Sequence, residues 1–136
     1  MRVVIAEIPE EGLQLAEQVD PAAWSLNTPD RAFVAPLAVS AFVQRHDDDL
    51  TVAAEAEGSM DVTCARCLAT VRRPYRETWS LALERPARPW LELGDELRQE
   101  ILLSVPMTAL CRDDCRGLCP TCGHNLNEGV CSHGTA

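Results

Sequence analysis

Lysine is absent from this chain of 136 residues, and all twelve basic side chains are arginine. An enzyme that forms a Schiff base through a lysine amine is therefore excluded. Aromatic residues make up only 4% of the chain, so the core must consist mainly of valine, leucine and alanine. No apolar run approaches the roughly 18 residues of a membrane-spanning helix, and the first residues lack a basic-then-apolar signal pattern. We therefore expect a cytoplasmic protein with no membrane partner.

The net charge of −9 predicts a particular kind of partner. An acidic chain repels phosphate backbones at long range, so general nucleic-acid binding is disfavoured and a basic protein is a better match. One segment departs from this balance, because residues 61–90 contain six arginines and three acids. Arginine beside the aromatic rings of this segment can contact RNA phosphates and bases. The possible RNA contacts are Arg66, Arg72, Arg73 and Arg76, and a solvated strand face on which arginine offsets nearby acids is the alternative.

An alternation of apolar and polar residues dominates the middle of the chain. It runs through residues 50–63 and through residues 37–44, with three aspartates between them at 47–49. This period of two predicts two strands, each with one buried face, that pair as an antiparallel hairpin. The alternation resumes after Cys67, so residues 64–67 should form the tip of a second hairpin. Three consecutive strands then form a meander.

The segments on either side of the meander are less regular. Leu13, Leu15 and Val19 fit a strand, although a short helix after Pro9 is an alternative. Residues 95–105 predict a helix that packs an apolar face on the sheet and ends at Pro106.

The expected fold class is therefore α+β: an antiparallel β-meander sheet or partial barrel, one packed helix, and a cysteine-rich, zinc-binding C-terminal tail. We divide the chain into a sheet domain at residues 1–106, with its helix near 95–105, and a zinc-knuckle tail at residues 107–136. The tail is expected to pack on the hairpin tip at 64–67.

The seven cysteines and one histidine supply eight possible metal donors. Two C-x-x-C pairs, a looser C-x3-C pair and a terminal Cys-Ser-His run have the spacings and soft ligands that zinc prefers. A reducing compartment favours metal over disulfides. Eight donors complete two tetrahedra, so we predict two structural zinc ions held by Cys64, Cys67, Cys111, Cys115, Cys119, Cys122, Cys131 and His133.

The spacing alone leaves the sharing of these donors open. We favour one site that joins Cys64 and Cys67 to Cys111 and Cys115, with the remaining four donors in a second site, because nearby ligands are easier to gather. The rival arrangement joins the two C-x-x-C pairs and leaves the other four donors together. A single ion with spare thiols is a further alternative, and His124 could replace His133.

Other uses of these cysteines fit the sequence less well. A redox dithiol usually lies at a helix N-terminus, whereas Cys64 and Cys67 lie between two strands. A catalytic zinc ion keeps an open position, whereas eight donors fill two sites completely. We find no nucleophile elbow and no phosphate-binding glycine loop. The residues therefore indicate no enzyme and no small-molecule substrate.

The motifs from Cys64 to Leu68, from Leu102 to Pro106 and from Leu110 to Asn127 together resemble the YceD-like family, from about residue 33 to the end. These bacterial proteins are also described as large ribosomal RNA subunit accumulation proteins and as a domain of unknown function. The usual tail of the family ends in Cys-x-Cys, whereas this chain has Cys131-Ser-His133.

The resemblance implies a non-enzymatic role in ribosome biogenesis, with a ribosomal protein or large-subunit ribosomal RNA as the partner. The alternatives are a zinc-stabilised protein-interaction module unrelated to ribosomes and a thiol- or metal-handling protein.

Overall fold

The computed structural model describes residues 1–106 and 108–133. Within these residues lie a sheet of five strands, a second sheet of two short strands, a 3-10 helix and one α-helix. The elements are β1 (Arg2–Val4), the 3-10 helix (Ile5–Glu7), β2 (Leu13–Val19), β3 (Arg31–Phe33), β4 (Leu37–Arg45), β5 (Asp49–Thr63), β6 (Thr70–Glu84), β7 (Trp90–Glu92) and α1 (Leu93–Ser104).

The predicted meander is confirmed. Strands β4, β5 and β6 pair consecutively and antiparallel, so that Val52 of β5 lies between Val43 of β4 and Leu81 of β6. The apolar positions of β5 face the core, and Leu50 and Ala56 are fully buried there. The alternation therefore specified the register, since a shift by one residue would turn the buried face outward.

The N-terminal segment forms a strand rather than the alternative helix. Strand β2 pairs with β4, with Leu15 opposite Ala41. Strand β3 lies beside the far end of β5, where Phe33 is opposite Met60. Among the described strands, β2 pairs only with β4 and β6 pairs only with β5. The sheet is therefore open rather than a closed barrel.

Helix α1 covers the inner face of the sheet, as predicted. It begins at Leu93, two residues before the predicted start, and its side chains Leu97 and Ile101 are fully buried in the main core. The hydroxyls of Tyr75 and Ser104, 2.5 Å apart, join β6 to the end of the helix. No helix among the described residues is long and apolar enough to cross a membrane.

The second sheet consists of β1 and β7, with Val3 opposite Leu91. Both of these residues are buried in the main core. The sheet therefore holds the N-terminus beside the start of α1, where the N–H of Gly94 donates to the Met1 carbonyl at 3.0 Å. This second sheet could not be predicted from the sequence, because three residues are too few to show a period of two.

Candidate metal centres

Four cysteines from two distant stretches of chain meet at the end of the sheet. Their sulfur atoms all lie within 4.8 Å of one another, and we call Cys64, Cys67, Cys111 and Cys115 the first cysteine group. The Sγ atoms of Cys64 and Cys115 are 3.6 Å apart, as are those of Cys67 and Cys111. A tetrahedron with zinc–sulfur bonds of about 2.3 Å has edges of about 3.8 Å. The group therefore fits a tetrahedral zinc ion.

The hairpin between β5 and β6 positions the first two cysteines. The backbone N–H of Cys64 donates to the carbonyl of Ala69 at 2.8 Å and extends the strand pairing by one step. The chain then turns tightly, and Leu68 takes a left-handed conformation with φ of 63°. This turn directs the N–H groups of Arg66 and Cys67 at the Cys64 sulfur, 3.4 and 3.5 Å away. Such N–H donors stabilise a metal-bound thiolate.

Backbone carbonyls of the tail receive hydrogen bonds from the sheet. The N–H of Ala65 donates to the Ala109 carbonyl at 2.8 Å. The Arg66 guanidinium donates to the Cys115 carbonyl at 2.9 Å. The Arg73 guanidinium donates to the carbonyls of Leu110 and Cys111 at 3.0 and 2.6 Å. The tail is therefore fixed at the hairpin tip by hydrogen bonds as well as by its sulfur atoms.

A glycine allows the tail to approach the tip closely. Gly117 has a φ of 77°, and a Cβ atom at this position would lie 3.2 Å from the Arg66 carbonyl. A side chain here would combine an unfavourable backbone conformation with a tight contact. Gly117 therefore brings the residues after Cys115 against the hairpin.

Hydrogen bonding separates the pKa values of the first group. Burial raises the pKa of Cys64, but the backbone N–H groups of Cys67, Cys111 and Arg66 outweigh burial and lower the pKa to about 5. Burial and the neighbouring thiols raise the pKa of Cys111 to about 12. A hydrogen bond from Asn127 lowers the pKa of Cys115. Cys64 and Cys115 therefore favour the thiolate form, whereas Cys111 keeps its proton. Four thiols this close cannot all carry a charge without a metal ion.

The second cysteine group consists of Cys119, Cys122, Cys131 and His133, whose ligand atoms also lie within 4.8 Å of one another. Cys119 is buried and Cys131 half-buried, whereas Cys122 and His133 are exposed. The chemistry of this set, three thiols and an imidazole, also fits a tetrahedral zinc ion. All four donors come from a stretch of fifteen residues. The second group therefore closes a local loop at the surface.

A tight turn positions the second C-x-x-C pair. The N–H of Cys119 donates to the His124 carbonyl at 2.8 Å, and the N–H of Gly123 donates to the Cys119 carbonyl at 2.9 Å. Within the turn, the N–H groups of Cys122 and Thr121 lower the pKa of Cys119 to about 6. The turn therefore stabilises a thiolate in the same way as the hairpin tip.

Asn127 ties the end of the tail back to the first cysteine group. Its side-chain N–H donates to the Cys115 sulfur at 3.2 Å, while its carbonyl oxygen accepts from the Arg116 N–H at 2.8 Å and from the Arg112 guanidinium at 2.9 Å. The backbone N–H of Leu126 donates to the Gly117 carbonyl beside it. Asn127 belongs to the family motif, but its role could not be predicted, since a single asparagine carries no spacing signal of its own.

The structure therefore brings the eight predicted donors together in the favoured arrangement. The rival arrangement, in which the two C-x-x-C pairs meet, does not form. His133 lies in the second group, and His124 is in neither group of the described residues. The two groups could hold two metal ions, and the assignment of zinc stays a prediction.

The four arginines proposed as RNA contacts all have intramolecular partners. Arg66 and Arg73 bind the tail, as described above. Arg72 pairs with Asp61 at 3.0 Å, and Arg76 pairs with Glu55 at 3.1 Å. Each ion pair raises the pKa of its arginine, because a hydrogen bond to the carboxylate favours the charged form. The arginines thus divide into two that position the tail and two on the surface of the sheet.

Comparison with known proteins gives a match to a protein family. No curated protein and no solved structure matches the chain. The family model described as Large ribosomal RNA subunit accumulation protein YceD matches residues 86–136. This segment includes α1 and six of the eight donors, whereas Cys64, Cys67 and the rest of the predicted extent from residue 33 lie outside it. Over residues 86–136, therefore, the chain matches the YceD family, as its motifs predicted.

Proposed function

We propose that this protein is a non-enzymatic, zinc-binding accessory factor that supports the accumulation of large-subunit ribosomal RNA in the cytoplasm. The observation that carries the proposal is the family match over residues 86–136. The matched segment contains two donors of the first cysteine group and all four donors of the second. The tail that belongs to the matched segment is thus the part of the chain whose fold bound metal would stabilise.

The donor sets support a structural use of metal. Each group offers four ligands, which fill a tetrahedral site and leave no open position for a substrate or an activated water. Zinc, when bound, supplies bonds that stabilise the fold. The residues of the chain then fix the tail on the sheet, through Arg66, Arg73 and the first group. The protein presents a folded surface to its partner rather than a reactive centre.

Charge indicates how the partner is bound. The acidic chain attracts a basic protein, and most ribosomal proteins of the kind that contact RNA are basic. The side chains of Arg72 and Arg76 are 65% and 66% exposed, so they can exchange their carboxylate partners for RNA phosphates. We therefore propose a basic ribosomal protein as the main partner, with large-subunit RNA in contact with the surface of β6.

Depletion of the protein tests the proposed function. The ratio of mature large-subunit RNA to small-subunit RNA should fall, and the wild-type chain should restore it. The Arg72→Ala variant should restore it partly if RNA contact matters, whereas Asp61→Ala, which leaves Arg72 in place, should restore it fully. An unchanged ratio in depleted cells, even under demanding growth conditions, would refute the proposal.

Two further measurements separate this proposal from its alternatives. A pull-down at moderate salt should recover ribosomal protein or large-subunit RNA, whereas an interaction module unrelated to ribosomes would recover neither. Thiols of the metal-loaded protein should react slowly, because coordination to the ion occupies the thiolate electron pair that would attack a reagent. Rapid reaction in both groups would instead favour a thiol- or metal-handling protein.

A further inference from the structure

Strand β6 is a long strand at the edge of the sheet. On one side it pairs with β5 over its whole length, without a bulge. On the other side, no described strand pairs with it. Beyond its two ends, the N–H of Arg85 donates to the Asp48 carbonyl and the N–H of Cys64 donates to the Ala69 carbonyl. These two bonds fix the alternation of hydrogen bonds along the ladder.

The alternation assigns each backbone group of β6 to one side. Because residues 69 and 85 bond toward β5, the odd-numbered residues between them do the same. The even-numbered residues direct their N–H and C=O groups to the free edge. Pro74 is even-numbered and has no N–H, so the free edge is interrupted there, and Pro86 follows the end of the strand. The uninterrupted edge consists of Arg76, Thr78, Ser80, Ala82 and Glu84.

The middle of this edge lacks the devices that usually protect an exposed strand. Residues 78–83 read Thr-Trp-Ser-Leu-Ala-Leu, with no charge and no proline. The apolar side chains of Trp79, Leu81 and Leu83 lie on the inner face and are only partly buried. Proteins normally place a charge, a proline or a bulge within such a strand to prevent pairing with another chain. An uncharged, alternating edge of this length is suited to accept a strand.

We propose that β6 pairs antiparallel with β6 of a second copy of this chain, around a two-fold axis at Ser80. In this register Ser80 is opposite its own counterpart, Thr78 is opposite Ala82, and Arg76 is opposite Glu84. All of these residues are even-numbered, so each pair can exchange two backbone hydrogen bonds. The result is one continuous sheet across the two copies.

The side chains support a second copy as the occupant. A symmetric pairing requires a strand that is complementary to itself when reversed. The charged ends meet this condition, since Arg76 lies opposite Glu84 of the second copy at both ends of the interface. On the inner face, Trp79 lies opposite Leu81, and such aromatic–aliphatic pairs stabilise antiparallel strands. The Pro74 position lies opposite Pro86, so both chains lose their N–H donor at the same place and the pairing ends there.

Mass and hydrogen exchange test the pairing on the zinc-loaded full chain. Sedimentation at increasing concentration should show a species of twice the 14.9 kDa monomer mass. In dilute solution the amides of Arg76, Thr78, Ser80, Ala82 and Glu84 should exchange rapidly, and they should become protected as the dimer forms. The odd-numbered amides from 75 to 83 should be protected at every concentration. A monomer at all concentrations, or a dimer without this alternate protection, would overturn the proposal.

Variants at the centre and the ends of the edge test the register. Ser80→Pro removes the central outward N–H and no bond to β5, so the monomer should stay folded while the dimer is lost. Ser80→Ala keeps the N–H and should dimerise like the wild type. Glu84→Arg places like charges at both ends and should raise the dimer Kd by about tenfold. The double variant Arg76→Glu with Glu84→Arg puts opposite charges at both ends again and should restore the Kd of the wild type. Dimerisation that survives Ser80→Pro, or failure of the double variant to recover, would refute this register.

Discussion

Replacing Arg73 with alanine is expected to loosen the tail while the sheet remains folded. The guanidinium donates to two tail carbonyls, Leu110 at 3.0 Å and Cys111 at 2.6 Å. A hydrogen bond from a charged group is worth about 1.5–3 kcal/mol when buried, and an exposed one much less. We therefore expect the two bonds together to contribute about 1–2 kcal/mol to the closed tail. A loss of that size raises the fraction of molecules with a detached tail about 5- to 30-fold.

Hydrogen exchange of the zinc-loaded protein measures this effect directly. The amides of residues 110–119 should exchange faster in Arg73→Ala by the same factor, with the amides of β4 and β5 unchanged. Arg76→Ala is the matched control, because Arg76 lies on the same strand but pairs with Glu55 rather than with the tail. Equal tail exchange in Arg73→Ala and the wild type would refute the positioning role of Arg73. Faster tail exchange in Arg76→Ala would show that any loss of charge on β6 has this effect.

Three further predictions concern the metal and the core. Cys67→Ser should accelerate exchange around Cys111 as well as at the hairpin tip, and unchanged exchange at Cys111 would contradict the shared first group. A chelator should unfold the second cysteine group before the first, because two of its donors are exposed; the order of lost protection checks this. Tyr75→Phe should lower the free energy of unfolding by about 1 kcal/mol through loss of the Ser104 hydrogen bond. Burial raises the pKa of Tyr75 despite that bond. The wild type should therefore lose stability as the pH rises above about 10. Tyr75→Phe has no phenol to ionise, so its free energy of unfolding should fall less in alkaline denaturation.

Much of the fold could be predicted from the sequence, because burial of one face of a strand imposes a period of two on its residues. This held for β4, β5 and β6, which are long enough to show the period. It failed for β1 and β7, which have three residues each and pair across a long separation in the chain, with Arg2 opposite Glu92. It also missed β3, where Phe33 contacts Tyr75 edge-on at 5.1 Å between ring centres. These short strands depend on contacts that form only once the large sheet exists.

The grouping of the donors followed from proximity along the chain, but its physical cause became visible only in three dimensions. Helix α1 packs on the inner face of the sheet and ends beside Tyr75 of β6, so the chain leaves it near the tip of the β5–β6 hairpin. The backbone bond from Ala65 to Ala109 then places the tail against that tip. The roles of Arg66 and Arg73 could not be predicted, since an arginine that binds a carbonyl and one that faces water look alike in a sequence.

The two cysteine groups stabilise different parts of the molecule. The second group closes a loop within the tail and could form in an isolated segment. The first group is completed only when Cys64 and Cys67, which lie outside the matched residues 86–136, contribute from the sheet. The segment that carries the family match therefore contains the whole second group but cannot complete the first group without the sheet. A surface that the tail offers to a ribosomal partner would depend on the β5–β6 hairpin, so a variant at Cys64 should impair that surface without altering any residue of the matched segment.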